Sequence, residues 1–141
     1  MSKVKSVFAF GSLLVGCLIY LFYRQDTFLI SFLPDECVPD AIFIQDDSLF
    51  TYWFLYCLAD GLWFYSLLQF QLLMYTGKVF SGVLLVFSVL LPFILELMQC
   101  IGCFAGTFDW CDVVTYVLTL SIIIWINKKQ IIGMCFKLPY S

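Results

Sequence analysis

Three carboxylates lie close together in a chain that is otherwise almost free of charge. The segment "ELMQCIGCFAGTFDWCD" begins at Glu96, includes Asp109, ends at Asp112 and contains no Lys or Arg. Neighbouring carboxylates attract cations and amine groups, and their pKa values move apart, which suits one to act as an acid and the other as a base. The segment therefore predicts a site for a positively charged ligand or a pair of catalytic carboxylates.

The composition places this segment in a membrane protein. Of the 141 residues, 63% are hydrophobic, 16 are Phe and only 12% are charged, and the mean hydropathy is +1.00. A soluble domain of this length has too little interior to bury so many large apolar side chains. Apolar stretches close to the roughly 20 residues that a helix needs to cross a bilayer recur along the chain, which indicates several membrane passes.

The elements that position the carboxylates are predicted to be helices. Backbone hydrogen bonds must be satisfied inside lipid, and the alternation typical of barrel strands is not visible in the sequence. We therefore predict an all-α membrane protein, a single domain over residues 1–141 that forms a bundle of four transmembrane helices. The predicted spans cover residues 7–23, 57–75, 79–98 and 110–126.

The lysines predict the orientation of this bundle. They precede span one, lie between spans two and three, and follow span four, at Lys3, Lys5, Lys78, Lys128, Lys129 and Lys137. In a four-span protein these segments share one side of the membrane, and an excess of lysine marks the cytoplasmic side. Both termini are therefore expected in the cytoplasm, and the acidic loop of residues 24–50 is expected outside.

This arrangement gathers four carboxylates at one depth, near the outer interface. Asp60 begins span two, Glu96 ends span three, and Asp109 and Asp112 begin span four. Three different helices would therefore contribute to one acidic site.

Helical spacing predicts the direction of these side chains. Gln99 continues the polar stripe of Glu96 in span three, and Tyr116 continues that of Asp112 in span four. A charged side chain that faces acyl chains costs about 2.5–3.5 kcal/mol near the bilayer centre and less near the interface. Both stripes are therefore expected to face the interior of the bundle.

Several of these residues also have structural explanations. Asp109 can cap the helix of span four, and Asp112 can stabilise its first turn through the helix dipole. Glu96 can mark the point where span three leaves the bilayer, and Trp53 with the nearby tyrosines can form an interfacial aromatic belt. A helix cap and a ligand contact are compatible roles, so both interpretations of Asp109 stay open.

The seven cysteines do not predict a metal centre. Cys100 and Cys103 have CxxC spacing, but the chain contains no histidine and no second CxxC pair. We predict no metal and no cofactor, and a Cys100–Cys103 disulfide stays open as an alternative. The box "LLVGC" at Cys17 resembles a lipoprotein cleavage site, but the apolar run continues to Tyr23, which favours an uncleaved span.

The stretch "ELMQCIGCFAGTFDWCDVVTYVLT" resembles the C-terminal half of the VanZ-like family of small polytopic membrane proteins. That family carries Glu-x-x-Gln at the end of one span, a short glycine-containing turn and an Asp-rich helix start, an order matched here by Glu96, Gln99, Gly106, Phe108, Asp109 and Asp112. "ADGLW" around Asp60 resembles the family's acidic start to an earlier span. The chain departs from the family pattern at Phe64, where the family commonly has histidine, and at Tyr116, where it often has Asn.

The resemblance implies a role in the bacterial cell envelope, because the family is associated with tolerance to teicoplanin-type glycopeptide antibiotics. We expect a multi-pass protein of the bacterial cytoplasmic membrane whose outward-facing acidic pocket binds, or helps to move, a cationic or amine-bearing lipid, glycopeptide or lipid-linked intermediate. The expected ligand-binding residues are Asp60, Glu96, Gln99, Asp109, Asp112 and Tyr116.

Two alternatives to this binding role stay open. One is a structural subunit whose acids pair with basic residues of a membrane-protein partner. The other is an enzyme that acts on a lipid-linked substrate through Glu96 and Asp112, although the sequence offers no obvious nucleophile beside them. In every case the expected partners include membrane lipids and exclude nucleic acid, because the sequence contains no basic groove.

Overall fold

The computed structural model describes residues 2–23, 34, 38–39, 48–104 and 107–136, and no strand occurs among these residues. The helices are α1 (Ser2–Tyr23), α2 (Leu49–Tyr52), a π-helical segment (Trp53–Cys57), α3 (Leu58–Met74), α4 (Val79–Cys100) and α5 (Trp110–Phe136). The prediction of an all-α protein is therefore confirmed for the part of the chain that the structure describes. The predicted outer loop of residues 24–50 lies almost entirely outside the described residues.

Three helical segments are long and apolar enough to cross a membrane: Lys3–Tyr23, Val79–Cys100 and Trp110–Met134. All three carry large apolar side chains that are exposed on the surface of the chain, as contact with acyl chains requires. These features indicate a multi-pass membrane protein. Helix α3 has only 17 residues, but the chain is helical without a break from Leu49 to Met74.

Two helices extend beyond the predicted spans at the end of the molecule that carries the lysines. Helix α1 begins at Ser2 rather than at residue 7, and α5 continues to Phe136 rather than ending at residue 126. The prediction ended α5 at its first polar residues, yet these residues turn toward α3: Asn127 is 1% exposed, and Gln130 Nε2 donates to the Leu72 carbonyl at 2.6 Å. Because these polar side chains form hydrogen bonds with α3, helix α5 continues past them.

Helix α3 lies at the centre of the bundle, since it packs against α1, α4 and α5. It runs antiparallel to α1. Ser66 Oγ donates to the Ala9 carbonyl at 2.7 Å toward the start of α1, and the Tyr20 hydroxyl donates to the Asp60 carboxylate toward its end. Because α3 is covered on several sides, the position of Asp60 on one of its faces does not decide whether the residue points inward.

Helices α3 and α5 run parallel and approach closely at a glycine. A Cβ atom added at Gly61 would lie 2.6 Å from Thr115 Cγ2, so only glycine fits at the start of α3. Further along both helices, Asn127 Nδ2 donates to Gln69 Oε1 at 3.0 Å. Small residues at such crossings let helix backbones pack tightly in membranes.

Three aromatic rings join α3, α4 and α5 in the middle of the bundle. Phe64, which is fully buried, meets Tyr116 edge-on with ring centroids 5.5 Å apart, and Phe93 completes the cluster at 6.4 Å from Phe64 and 5.9 Å from Tyr116. Edge-to-face pairs of this kind add about 0.5–1.5 kcal/mol beyond the apolar area that they bury. The cluster packs α3, α4 and α5 together, and the acidic residues lie on or next to these helices.

The bundle has two chemically different ends. The lysine end carries the described lysines of α1, the α3–α4 turn and α5, namely Lys3, Lys5, Lys78, Lys128 and Lys129, and the acidic end carries Asp60, Glu96, Asp109 and Asp112. The turn from α3 to α4 at the lysine end is tight because Gly77 adopts a positive φ of 78°, a conformation that favours glycine. The antiparallel path of α3 and α4 then returns the chain to the acidic end.

Candidate functional site

The acidic end brings together carboxylates from three helices. Asp60 lies in the first turn of α3, Glu96 near the end of α4, Asp109 directly before α5 and Asp112 in the first turn of α5. Asp112 is close enough to interact electrostatically with the other three. The side chains that the sequence separates by up to 52 positions (112 − 60) are therefore neighbours in the fold.

Glu96 faces the interior of the bundle, as its polar stripe predicts. The residue is 6% exposed, and the other buried residues of α4 are Pro92 and Ser88, about one and two turns before it. Its Oε2 accepts a hydrogen bond from the backbone N–H of Asp109 at 3.3 Å. Helix α4 continues past Glu96 to Cys100.

Asp109 caps α5, so the structural interpretation of this residue is confirmed. Its Oδ1 accepts the backbone N–H of Cys111 at 2.8 Å, which satisfies a donor that the first turn of a helix leaves unpaired. Its Oδ2 accepts the hydroxyl of Tyr52 at 2.5 Å. The hydrogen bond from Tyr52 lowers the pKa of Asp109 below its ordinary value, while the same bond to a carboxylate raises the pKa of Tyr52.

Asp112 has one carboxylate oxygen that no described residue pairs with. Its Oδ1 is buried and has no hydrogen-bond partner among the described residues. The carboxylate also interacts through a hydrogen bond with the thiol of Cys57. A buried carboxylate oxygen without a donor is costly unless something else pairs with it, so Asp112 is the residue best placed to meet a ligand.

Asp60 and Tyr116 line the inner side of the cluster. The Tyr20 hydroxyl donates to Asp60, which adds α1 to the elements that form the site. Tyr116 is buried in the aromatic cluster, and its phenol interacts electrostatically with the carboxylates of Asp60, Asp112 and Glu96. Tyr116 therefore lies between the aromatic cluster and the carboxylates.

Gln99 lies in the last turn of α4, where it is half-buried. Its backbone carbonyl accepts a hydrogen bond from the N–H of Gly102 at 3.0 Å, in the turn that follows the helix. Gln99 therefore lies about one turn beyond Glu96, at the acidic end of α4.

Several residues of the site are absent from the sequence-based prediction. Trp53 Nε1 donates to Thr115 Oγ1 at 2.9 Å, and the Tyr52 hydroxyl donates to Asp109, so these two aromatic residues contact the start of α5. The hydroxyl of Tyr20 reaches Asp60. An aromatic residue near the end of a predicted span is common, so its type and position alone do not identify its hydrogen-bond partner.

The cysteines form a grouping that their sequence spacing does not reveal. Cys100 and Cys103 are exposed free thiols near the end of α4. The sulfur atoms of Cys57 and Cys111 and a carboxylate oxygen of Asp109, by contrast, all lie within 4.8 Å of one another, an arrangement that can hold a metal ion. Cys57 lies 54 positions (111 − 57) before Cys111, so no CxxC-type motif marks the pair.

Two cavities lie away from the acidic end. One of about 480 Å³ at the lysine end is lined by residues that include Tyr75, Gly77 and Lys129. A groove of about 460 Å³ between α3, α4 and α5 is lined almost entirely by apolar side chains. Neither of these two linings contains a carboxylate.

The sequence was also compared with known proteins. Comparisons with protein-family models, with curated protein sequences and with solved structures find no match to this chain.

Proposed function

We propose that this chain is a four-span protein of the bacterial cytoplasmic membrane whose acidic end faces outward and binds, or helps to move, a cationic or amine-bearing envelope ligand. The observation that carries the proposal is the grouping of Asp60, Glu96 and Asp112 from three helices at one end, while the described lysines lie at the other end. The antiparallel course of α1, α3 and α4 supports the four-span arrangement.

Electrostatics explains why such a cluster needs a partner. Like charges held together repel, and partial exclusion of water strengthens their interaction well beyond its value in bulk solvent. Among the described residues, no Lys or Arg side chain lies at the acidic end to neutralise them. A cation that enters from outside relieves both the repulsion and the unpaired state of Asp112 Oδ1.

The contacts assign different tasks to the three carboxylates. Asp112, with its unpartnered oxygen, is the primary contact for the cationic group. Glu96 is buried behind it and accepts one backbone N–H, so its second oxygen can accept from the ligand. Asp60 is held in place by Tyr20 and adds negative potential. Asp109 mainly positions α5, because both of its oxygens already accept hydrogen bonds.

The resemblance to the VanZ-like family supports the choice of an envelope ligand. The residues that carry the resemblance, from Glu96 to Asp112, are those that the fold gathers at the acidic end, although Gly106 lies outside the described residues. A cationic or amine-bearing group of an envelope ligand would meet a complementary surface at the acidic end. The departure at Phe64, which is buried in the aromatic cluster, removes histidine from any mechanism of proton transfer.

A tolerance assay tests the proposed function. Teicoplanin tolerance of a bacterial host that expresses the chain is compared with the abundance of the inserted protein for the wild type, Glu96→Gln and Asp112→Asn. Both substitutions keep shape and hydrogen-bonding capacity but remove charge, so tolerance should fall while abundance stays normal. Asp109→Asn is the matched control, because Asn also caps helices well and should preserve tolerance.

Two results would contradict this function. Tolerance that falls only in proportion to abundance would make the acids structural. A stoichiometric membrane-protein partner that co-purifies with the wild type and is lost from Asp112→Asn would instead identify the chain as a subunit whose acids pair with that partner.

The outward orientation of the acidic end has its own test. In single-cysteine variants, a membrane-impermeant thiol reagent should label Cys37 in intact cells and Cys135 only after permeabilisation. Cys37 lies outside the described residues, and its expected side follows from the lysine distribution alone. Labelling of Cys135 in intact cells would reverse the proposed orientation.

A further inference from the structure

Two cysteines and a carboxylate converge where the π-helical segment meets the start of α5. Cys57 is the last residue of the π-helical segment and is fully buried, whereas Asp109 and Cys111 are half-buried at the start of α5. One ligand atom from each of the three lies within 4.8 Å of the others. The two cysteines are free thiols. The group is therefore buried on one side and accessible on the other.

We propose that Cys57, Cys111 and Asp109 form a Zn²⁺ site, which Asp112 completes as the fourth ligand after its side chain turns toward the ion. Zinc binds thiolate sulfur at about 2.3 Å and carboxylate oxygen at about 2.0–2.2 Å in a tetrahedron, so the ligand atoms around one ion are roughly 3.5 Å apart. The ligand atoms of Cys57, Cys111 and Asp109 lie within 4.8 Å of one another, so these three side chains reach that geometry with small adjustments, whereas Asp112 lies outside this group. Thiolates favour zinc over the hard cations Mg²⁺ and Ca²⁺, which prefer oxygen ligands alone.

Asp112 supports this assignment independently of the distances among the other three groups. Its Oδ1 is buried without a hydrogen-bond partner among the described residues, and its carboxylate is hydrogen-bonded to the Cys57 thiol. Replacement of that thiol proton by a metal ion would keep Cys57 and Asp112 together and would pair the carboxylate with a cation. A tetrahedral set of two sulfur and two oxygen atoms is then complete.

The charge balance of binding is favourable for a site near the membrane. Zn²⁺ binding removes one proton from each thiol and releases both to solvent, so two positive charges leave as one dication enters. The net charge of the four-residue group is unchanged, and no additional charge is buried. Asp109 can keep its cap to the Cys111 N–H, because a carboxylate offers about four lone-pair positions.

The metal site and the proposed ligand site share Asp112 but differ in their other residues. Glu96 accepts the backbone N–H of Asp109, and Asp60 accepts the Tyr20 hydroxyl, whereas Asp112 is hydrogen-bonded to the Cys57 thiol. Removal of the Glu96 charge should therefore affect the binding of an amine ligand and leave zinc binding intact, so failure of one proposal is distinguishable from failure of the other.

The first experiment uses the wild-type full-length chain, purified in detergent under reducing conditions. After chelator treatment and dialysis, the protein is titrated with Zn²⁺ and its thiols are then alkylated and identified by mass spectrometry. We expect one tightly bound ion per chain and protection of Cys57 and Cys111, while the exposed thiols of Cys100 and Cys103 stay reactive. If the alkylation rates of Cys57 and Cys111 do not change when Zn²⁺ is added, the proposal is overturned.

Variants provide the matched comparison. Cys57→Ser and Cys111→Ser should weaken Zn²⁺ binding by more than the roughly 10–100-fold that changes outside a ligand set cost, whereas Cys100→Ser, Cys103→Ser and Glu96→Gln should bind as the wild type does. Cd²⁺ titration of the wild type adds a spectroscopic check, because thiolate-to-metal charge transfer appears only when sulfur coordinates the ion. A Cys57–Cys111 disulfide in protein purified without reductant, together with absent charge transfer after reduction, would replace the zinc site with a redox pair.

Discussion

The polar groups at the two ends of the bundle differ in their charge and in their hydrogen-bond partners. At the lysine end, Lys5 Nζ donates to Asn127 Oδ1 at 2.6 Å, and Asn127 Nδ2 donates to Gln69 Oε1 at 3.0 Å, so a cation meets a chain of neutral amides. At the acidic end, carboxylates meet mainly hydroxyl groups, backbone N–H groups and one another. Amides that pair with each other link two helices, whereas like charges that gather repel one another.

Burial alone does not mark a functional site in this bundle. Asn127 and Gln69 are more deeply buried than any of the four carboxylates, and their hydrogen bond links α3 to α5. Each end holds one buried polar atom without a hydrogen-bond partner among the described residues, Gln69 Nε2 at the lysine end and Asp112 Oδ1 at the acidic end. The two ends therefore differ in charge, because the unpartnered atom is a neutral donor at one end and a carboxylate oxygen among other carboxylates at the other.

The largest effect is expected from the close crossing of α3 and α5 beside the acidic end. Gly61→Ala places a methyl group 2.6 Å from Thr115 Cγ2, so the helices must separate, at a cost of about 1–3 kcal/mol in the free energy of unfolding. Gly82→Ala is the control, because a Cβ there meets nothing within 4 Å and alanine favours helix. Thermal unfolding in detergent should show a lower midpoint for Gly61→Ala alone; equal midpoints would contradict the tight crossing.

The lysine end should respond to mutation as a structural network. Asn127→Leu leaves the buried Gln69 Oε1 without its donor and removes one acceptor of the Lys5 ammonium, which should cost about 1–3 kcal/mol. Adding Gln69→Leu removes the stranded amide, so the double variant should be more stable than Asn127→Leu. The check is the same unfolding assay. A double variant less stable than the single one would show that the two amides do not act as a pair.

A smaller effect is expected at the cap of α5. Asp109→Ala removes the acceptor for the Cys111 N–H and should cost about 0.5–2 kcal/mol, whereas Asp109→Asn should be nearly neutral because Asn also caps helices. Unfolding is measured in the presence of EDTA, so that no metal contributes to the difference. Equal destabilisation by both substitutions would mean that the charge of Asp109, rather than its cap, stabilises this end.

The sequence predicted the helices and the gathering of the acids, because both follow from periodicity. Apolar length marks a helix, and spacing places Ser88, Pro92 and Glu96 on one inward stripe, as the structure confirms. The path of the chain through successive helices then brings Asp60, Glu96 and Asp112 to one end.

Other features depend on contacts that no single helix encodes. The extension of α5 to Phe136 results from the pairing of Asn127 and Gln130 with α3, which only the packed bundle reveals. The proximity of Cys57 to Cys111 likewise depends on how the π-helical segment meets α5. Tertiary packing decides these features, and local propensity does not.

The acidic end should bind a cation. The equilibrium affinity of the purified full-length chain for a cationic probe tests this most directly. The probe is a twelve-carbon alkyl chain with a dansyl group at one end and a free amine at the other, its control has a hydroxyl in place of the free amine, and EDTA is present throughout. We predict saturable binding of the amine to the wild type and at least about tenfold weaker binding to Glu96→Gln, a loss of about 1.4 kcal/mol, with Asn127→Leu close to the wild type. Equal affinity of the amine for the wild type and Glu96→Gln, or equal affinity of the wild type for the amine and the alcohol, would contradict the claim.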